Sequence, residues 1–277
     1  MKERHFWKLA FVAFVAFTAI SCGNNVEPNK VSSNSGAGSE ADKNPKYIVV
    51  SAAISLKETF DELATLYKQK TGTKLRISYA ASGVLSQQIE KGAGVDVFAS
   101  AGQPEMNKLE AGGFLIKETR KDFAGNSMVL IVAKDSTLGI GSFDDLGKAD
   151  IRNLAIGNPK TVPAGAYGVE TLKSLGVYDK VAGKFVFGES VRQVLEYVSQ
   201  GNAEAGIVYS TDADISKATV NVVATAPEDS HSPIRYPIAV INDSKKADDA
   251  REFIAFVMSE EGQQVLQKYG FKNLSAK

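Results

Sequence analysis

From residue 46 onward the chain alternates between short β-branched runs and segments with apolar residues at helical spacing. That alternation constrains the fold more than any other feature. Residues 46–51 (KYIVVS) read as a buried strand. Leu56, Phe60, Leu63, Ala64 and Tyr67 then recur at helical spacing as far as Gly72, a helix stop. Residues 74–79 return to strand, Leu85 and Ile89 mark a short helix ending at Gly92, and 95–100 is strand again. Pro104 suits the first turn of the next helix. Further strands are expected at 128–133, 153–157, 184–187, 205–209, 220–224 and 236–241, with helices at 164–175, 191–200, 247–258 and 260–268. Strands separated by helices predict an α/β protein with largely parallel sheets. The 277 residues suffice for two lobes. In such sheets ligands sit beyond the carboxyl ends of the strands, where helix N-termini point. The strand-to-helix turns are therefore where function is to be sought.

The first 45 residues carry a different message. Lys2, Arg4 and Lys8 form a positive head, and residues 9–20 are a mostly apolar run. Those twelve residues fall short of the roughly 20 that span a bilayer as a helix. Residues 1–21 read as an export signal. Ala19-Ile20-Ser21-Cys22 resembles the end of a bacterial lipoprotein signal, with Cys22 as the lipidated residue and new N-terminus. The plainer reading is a cleaved signal with an incidental cysteine. Because Cys22 is the single cysteine and stands where lipidation needs it, the lipoprotein reading is preferred. Residues 23–45 hold no aromatic and too little apolar surface to offset their ordering entropy. Residues 22–45 are thus read as a lipid-anchored flexible tether, with a reach of about 25–30 Å. The expected location is the extracytoplasmic side of the cell envelope.

Composition excludes several classes. The 32 basic and 32 acidic side chains balance, and losing residues 1–21 leaves a net charge of −2. No basic face for nucleic acid is expected. One cysteine permits no internal disulfide, thiolate metal site or cysteine nucleophile in the mature body. Of the two histidines, His5 leaves with the signal, so His231 alone remains. Metal sites favour histidine or thiolate, so neither metal nor cofactor is expected.

Several turns share one chemistry. In Ala52-Ala53-Ile54-Ser55-Leu56-Lys57-Glu58, Ser55 and Glu58 have capping-box spacing, and the same holds for Ser190 and Gln193. Ala81-Ser82-Gly83 places another serine at a helix start, and residues 158–165 (NPKTVPAG) open a helix after a strand. Any one such serine is more commonly a cap than a ligand. Taken together, free N–H groups at helix N-termini form an anion site without a charged side chain. Neutral donors also spare the cost of burying a counter-charge.

These residues resemble the molybdate-binding proteins of bacterial ABC importers. The likeness rests on Ala53-Ile54-Ser55-Leu56, Ala81-Ser82-Gly83-Val84-Leu85, residues 92–98 (GAGVDVF), Gly157-Asn158-Pro159, residues 162–167 (VPAGAY), Val191-Arg192, residues 206–213 (GIVYSTDA) and 227–231 (PEDSH). It implies a two-lobed type II periplasmic-binding fold, with the ligand cleft between the lobes. Lobe 1 would comprise 46–124 and 230–277, and lobe 2 residues 125–229. Carried over motif by motif, the ligand donors are Ser55, Ser82, Ala164, Val191 and Tyr209. The ligand would be molybdate or tungstate. The partners would be the permease and ATPase of the importer, and the protein a monomer without catalysis. Ile54 stands where a smaller residue is common, and Ser190 where an amide or acid is usual.

The chemistry agrees independently. Molybdate and tungstate are fully deprotonated near neutral pH and only accept hydrogen bonds, whereas protonated phosphate would need an acceptor. Sulfate, also acceptor-only, is the principal alternative within the fold, with a phosphonate as a further one. A lipid-anchored hydrolase using Ser82 or Ser55 would need a base beside the serine, and no G-x-S-x-G elbow occurs. A scaffold lipoprotein would leave the donor-rich turns unexplained. Without the resemblance, Tyr209 reads as filling between lobes. Arg192 reads as a salt-bridge partner, His231 as a hinge or surface residue, and 245–249 as a solvated helix start.

Overall fold

The computed structural model describes residues 46–148 and 150–274. The export signal, Cys22 and the tether at 22–45 lie outside the described residues. Two five-stranded sheets form the body. The first contains β1 (Tyr47–Ala53), β2 (Lys74–Ala80), β3 (Val97–Ala99), β4 (Lys121–Gly125) and β10 (Arg235–Val240), in the order β2-β1-β3-β10-β4. The second contains β5 (Met128–Ala133), β6 (Leu154–Gly157), β7 (Phe185–Gly188), β8 (Ala205–Tyr209) and β9 (Val220–Thr225), in the order β7-β6-β8-β5-β9. In each sheet four strands run one way. Only β10 in the first and β5 in the second run against their neighbours. These two follow the crossings from the other sheet, through Asn126–Ser127 and through residues 226–234. Each thus enters its sheet from the opposite direction.

The helices cover both faces of each sheet. α1 (Lys57–Thr71) buries Phe60, Leu63 and Tyr67 at helical spacing against α8 (Ala247–Met258), where Phe253 meets both Phe60 and Tyr67 edge-on. Burying each such side chain is worth roughly 1.5–3 kcal/mol. Gly72, at φ +76°, ends α1 in the left-handed conformation that lets its N–H reach the Lys68 carbonyl. The opposite face packs Leu85 and Ile89 of α2 (Ser82–Glu90) and Met106 and Leu109 of α3 (Gln103–Ala111) around Phe98. In the second lobe α4 (Pro163–Ser174) and α6 (Val191–Ser199) flank the sheet. α6 presents Val191, Val194, Leu195 and Val198 as one apolar stripe. α5 (Tyr178–Val181), α7 (Ser210–Ile215) and α9 (Glu260–Lys268) complete the structure.

β4, α5 and α7 are not evident in the sequence pattern. β4 (KDFAG) has two adjacent apolar side chains, Phe123 and Ala124, and no alternating pattern, and its strand geometry comes from pairing with β10. That pairing slips register between Tyr236 and Pro237, a bulge that accommodates a proline inside a strand.

Candidate oxyanion site

The five expected donors come from five different turns, and all five line one small cavity between the lobes. β1 ends at Ala53 and enters a 3-10 turn, Ile54–Leu56, with Ser55 at its centre. Ser55 does not cap α1: the N-cap is Leu56, without a side-chain bond. The capping-box reading of Ser55 and Glu58 is therefore corrected. The Ser55 hydroxyl instead meets Tyr236 Oη at 3.3 Å, and Glu58 turns to Arg192. Ser82 occupies the first position of α2 and also makes no cap bond. Ser190 is a true cap, since its hydroxyl accepts from the Gln193 N–H at 3.2 Å. The Gln193 side chain reaches back to the Glu189 N–H, one residue short of a standard capping box.

Two of the three donors expected from the second lobe are backbone groups, at Ala164 and Val191; the third is the Tyr209 hydroxyl. Pro163 opens α4 and Ala164 follows it; Val191 opens α6. N–H groups in a helix's first turn have no intrahelical acceptor, and the dipole there favours negative charge. α4 is held close by Gly165, where a Cβ would lie 1.9 Å from the Gly157 carbonyl oxygen. No larger residue would let its N-terminus lie so near β6. Tyr209, the last residue of β8, is buried.

Hydrogen bonding fixes the polarity of the cavity. The Ala101 N–H donates to Ser82 Oγ at 2.9 Å, so the serine proton is left for the cavity. The Tyr209 hydroxyl donates to the Ala101 carbonyl at 2.9 Å, so the tyrosine must share its proton to serve a ligand as well. Burial pushes the Tyr209 phenol well above its ordinary value, keeping it neutral. None of the twelve lining residues is charged; apart from the three hydroxyl-bearing residues they are apolar, with Ala53, Ile54 and Val162 among them. The cavity measures about 10 Å3 as space for the centre of a water-sized sphere, roughly the room of a single water, so an oxyanion would need the lobes to part slightly.

Charge is present just outside. Arg192 binds both Glu58 oxygens, at 2.9 and 2.6 Å, and pairs with Asp212 behind it. Burial raises Glu58, but the hydrogen bond and charge of Arg192 prevail and hold it below the usual carboxylate range. Burial pushes Asp212 up to about 6 against the pull of Arg192. Arg192 is thus consumed by ion pairs, one of them across the cleft. Two more contacts join the lobes: Tyr209 to Ala101, and the Gly83 N–H to the Thr161 carbonyl at 2.9 Å. His231 lies away from the cavity, its ring edge-on to Tyr167 at 6.0 Å. A larger groove of about 720 Å3 lies at the far end of the first lobe, lined by both acidic and basic side chains such as Glu90, Asp96, Lys91 and Lys245. It has no converging helix starts.

Sequence reasoning missed Ala101, Asn126 and Tyr236. Each acts through partners far away in sequence, as with Tyr236 and Ser55, 181 positions apart, so no local spacing signals it.

Comparison with known proteins places this arrangement. A Bacillus subtilis protein, YvgL, named as a candidate ABC transporter substrate-binding lipoprotein, is 41% identical over 225 residues, covering 81% of this chain and 85% of that one. The molybdate-binding protein ModA of Haemophilus influenzae is 36% identical over 231 residues, covering 81% and 89%. Among solved structures, the substrate-binding domain of a candidate molybdenum ABC transporter from Clostridium difficile is 40% identical. It has a TM-score of 0.66 and covers 83% of this chain and 99% of that one. Residues 48–272 match the family model of bacterial extracellular solute-binding proteins, a family of two-lobed binding proteins rather than enzymes, and this chain belongs to it.

Proposed function

We propose that this protein captures molybdate, and tungstate as an anion of the same shape and charge, for an ABC importer. Ser55, Ser82, Ala164, Val191 and Tyr209 would hold the oxyanion, with lobe 1 at 46–124 and 230–277 closing on lobe 2 at 125–229. A permease and ATPase would receive it. The observation that carries the reading is the convergence of these five donors, from both lobes, on one cavity without a charged side chain. A buried site of this kind stabilises an anion by oriented dipoles and hydrogen bonds, and releases it when the lobes part. The likeness to ModA supports molybdate in particular. Sulfate is the second reading, because the same lining accepts any anion that only receives hydrogen bonds.

The protein would act as a monomer tethered by lipid on Cys22. Cys22→Ser should move it from the membrane fraction to the soluble fraction; continued sedimentation with membranes would refute lipidation as the anchor. The ligand is tested by thermal unfolding with molybdate, tungstate, sulfate or phosphate in separate samples, since a ligand of the native state raises the midpoint by mass action. Molybdate and tungstate should raise it and the other two should not. A larger shift with sulfate would transfer the assignment to the second reading.

A further inference from the structure

We propose that Tyr236 and Asn126 are positioning residues that fix the direction of the Ser55 hydroxyl, so that Ser55 offers a donor and no acceptor and disfavours oxyanions that still carry a proton. This rests on the oxyanion-binding reading and deepens it. The argument begins at Asn126, which is buried in the crossing between the sheets. Its Oδ1 accepts the Ser127 backbone N–H at 2.9 Å, and a backbone N–H can only donate. That bond settles which end of the amide is oxygen. The Nδ2 group therefore faces the other way, donating to Thr211 Oγ1 at 2.9 Å and to Tyr236 Oη at 3.1 Å.

Tyr236 is fully buried, and burial pushes its phenol well above the ordinary value, so it keeps its proton. Its oxygen already receives a hydrogen from Asn126. Its own hydrogen goes to its remaining partner, Ser55 Oγ, at 3.3 Å. Ser55 then accepts from the protein and has its proton left to give to the cavity. Ser82 reaches the same state by a different route, through the Ala101 N–H. Both serines thus present O–H groups outward. An oxyanion without protons meets donors at both serines. An oxyanion with an O–H meets no matching acceptor at either serine, and an unpaired buried hydroxyl is how hydrogen-bonding sites discriminate strongly. The Tyr209 oxygen is the one other hydroxyl in the lining, so the selectivity rests on the two serines.

The test compares molybdate and phosphate affinities by calorimetry, in mildly acidic buffer where phosphate keeps a proton and molybdate has none. Tyr236→Phe frees Ser55 to rotate and accept. Molybdate affinity should fall by roughly three- to tenfold, the scale of one neutral hydrogen bond, while phosphate affinity stays level or rises. An unchanged molybdate-to-phosphate ratio would overturn the proposal, whatever happened to stability. Asn126→Asp supplies the second arm. A carboxylate accepts, so Tyr236 would donate to it and Ser55 would donate to Tyr236, turning the serine proton away from the cavity. Molybdate binding should weaken more than in Tyr236→Phe. In the double variant the added loss should be smaller, because the negative charge remains but the relay is gone. Losses that simply multiply would also sink the proposal. If the wild-type protein binds no acceptor-only oxyanion, the functional reading fails, and the relay with it; if it binds and the ratios hold, the relay alone fails.

Discussion

The two lobes share one plan and divide the chemistry between them. Each sheet places one reversed strand fourth in an order that otherwise matches, β2-β1-β3-β10-β4 against β7-β6-β8-β5-β9. Yet the first lobe brings serine hydroxyls to the cavity, and the second brings the starts of α4 and α6 together with Tyr209. Side-chain donors can be removed or retuned by a single substitution. Backbone donors survive any side-chain change that keeps the helix, so the part of the site at the starts of α4 and α6 tolerates sequence drift, while Tyr209 does not. What fixes it is the packing of the helix, as at Gly165 against Gly157.

The sharpest way to break that contrast is proline at Val191. This is the first helical position, where proline fits, and Ser190 before it is already extended at φ −155° and ψ 164°. Val191→Pro should leave the fold stable while removing one N–H and placing a methylene where the anion would sit. Affinity should fall by more than about a hundredfold, the upper range for one bond to a charged group. Val191→Ala keeps the N–H and should leave affinity nearly unchanged. Equal losses in the two variants, measured by calorimetry, would show that the second lobe acts through its side chains after all.

On the first lobe the expectation reverses. Ser82→Ala deletes a donor to a charged acceptor and should cost about 1.5–3 kcal/mol of binding, roughly ten- to a hundredfold. Ser82→Thr keeps the hydroxyl and should recover part of it. If Ser82→Ala binds as tightly as wild type, the serine is structural and the first lobe contributes backbone alone.

Much of this was legible before the structure. Strand-length apolar runs and helical spacing placed β5, β8, α8 and α9 at their observed limits, because burial on both faces or along one stripe leaves a strong periodic mark. The five cavity residues were legible through a family resemblance, with physical sense added by their positions at helix starts. Three things were hidden. Ser55 looked like a cap because its spacing to Glu58 is right, but Arg192, 134 positions from Glu58, competes for that carboxylate. The Asn126–Tyr236–Ser55 relay exists only through the crossing between sheets. β4 owes its geometry to its partner, having little apolar pattern of its own.

A third prediction concerns how closely the lobes meet. A Cβ on Gly83 would lie 2.6 Å from the Thr161 Cα and 2.7 Å from its carbonyl oxygen, both backbone atoms that cannot turn aside. Gly83→Ala should hold the lobes apart and weaken the Gly83–Thr161 hydrogen bond. Overpacking of this kind costs about 1–3 kcal/mol, so affinity should drop by around tenfold. Small-angle scattering with saturating ligand should show a larger radius of gyration than for wild type. An identical radius would mean that one lobe yields locally and that the contact does not set closure.

The smallest effect belongs to the charge pair at the rim of the cleft. Arg192 spans the lobes to Glu58 while keeping Asp212 in its own lobe, so Glu58→Gln removes only the interlobe half. The pair is partly exposed, and such pairs are worth about 0.5–1 kcal/mol, which lowers the melting midpoint by roughly 1–4 °C in a body of this size. The pH dependence fixes the cause. Glu58 lies below its ordinary 4.5 in the folded protein, so its contribution is fully present above that value and disappears as pH falls through the folded value. Asp212, raised to about 6, acts oppositely: it favours the native state as pH falls from about 6 toward 4, and because the Glu58 charge adds a little to that rise, the gain is slightly larger in the wild type than in Glu58→Gln. The gap between wild type and Glu58→Gln should therefore hold or widen slightly from neutral pH down to 4.5 and close below it. A gap that instead closes near pH 6 would assign the linkage to Asp212, and the first lobe would then have no charged share in holding the cleft shut.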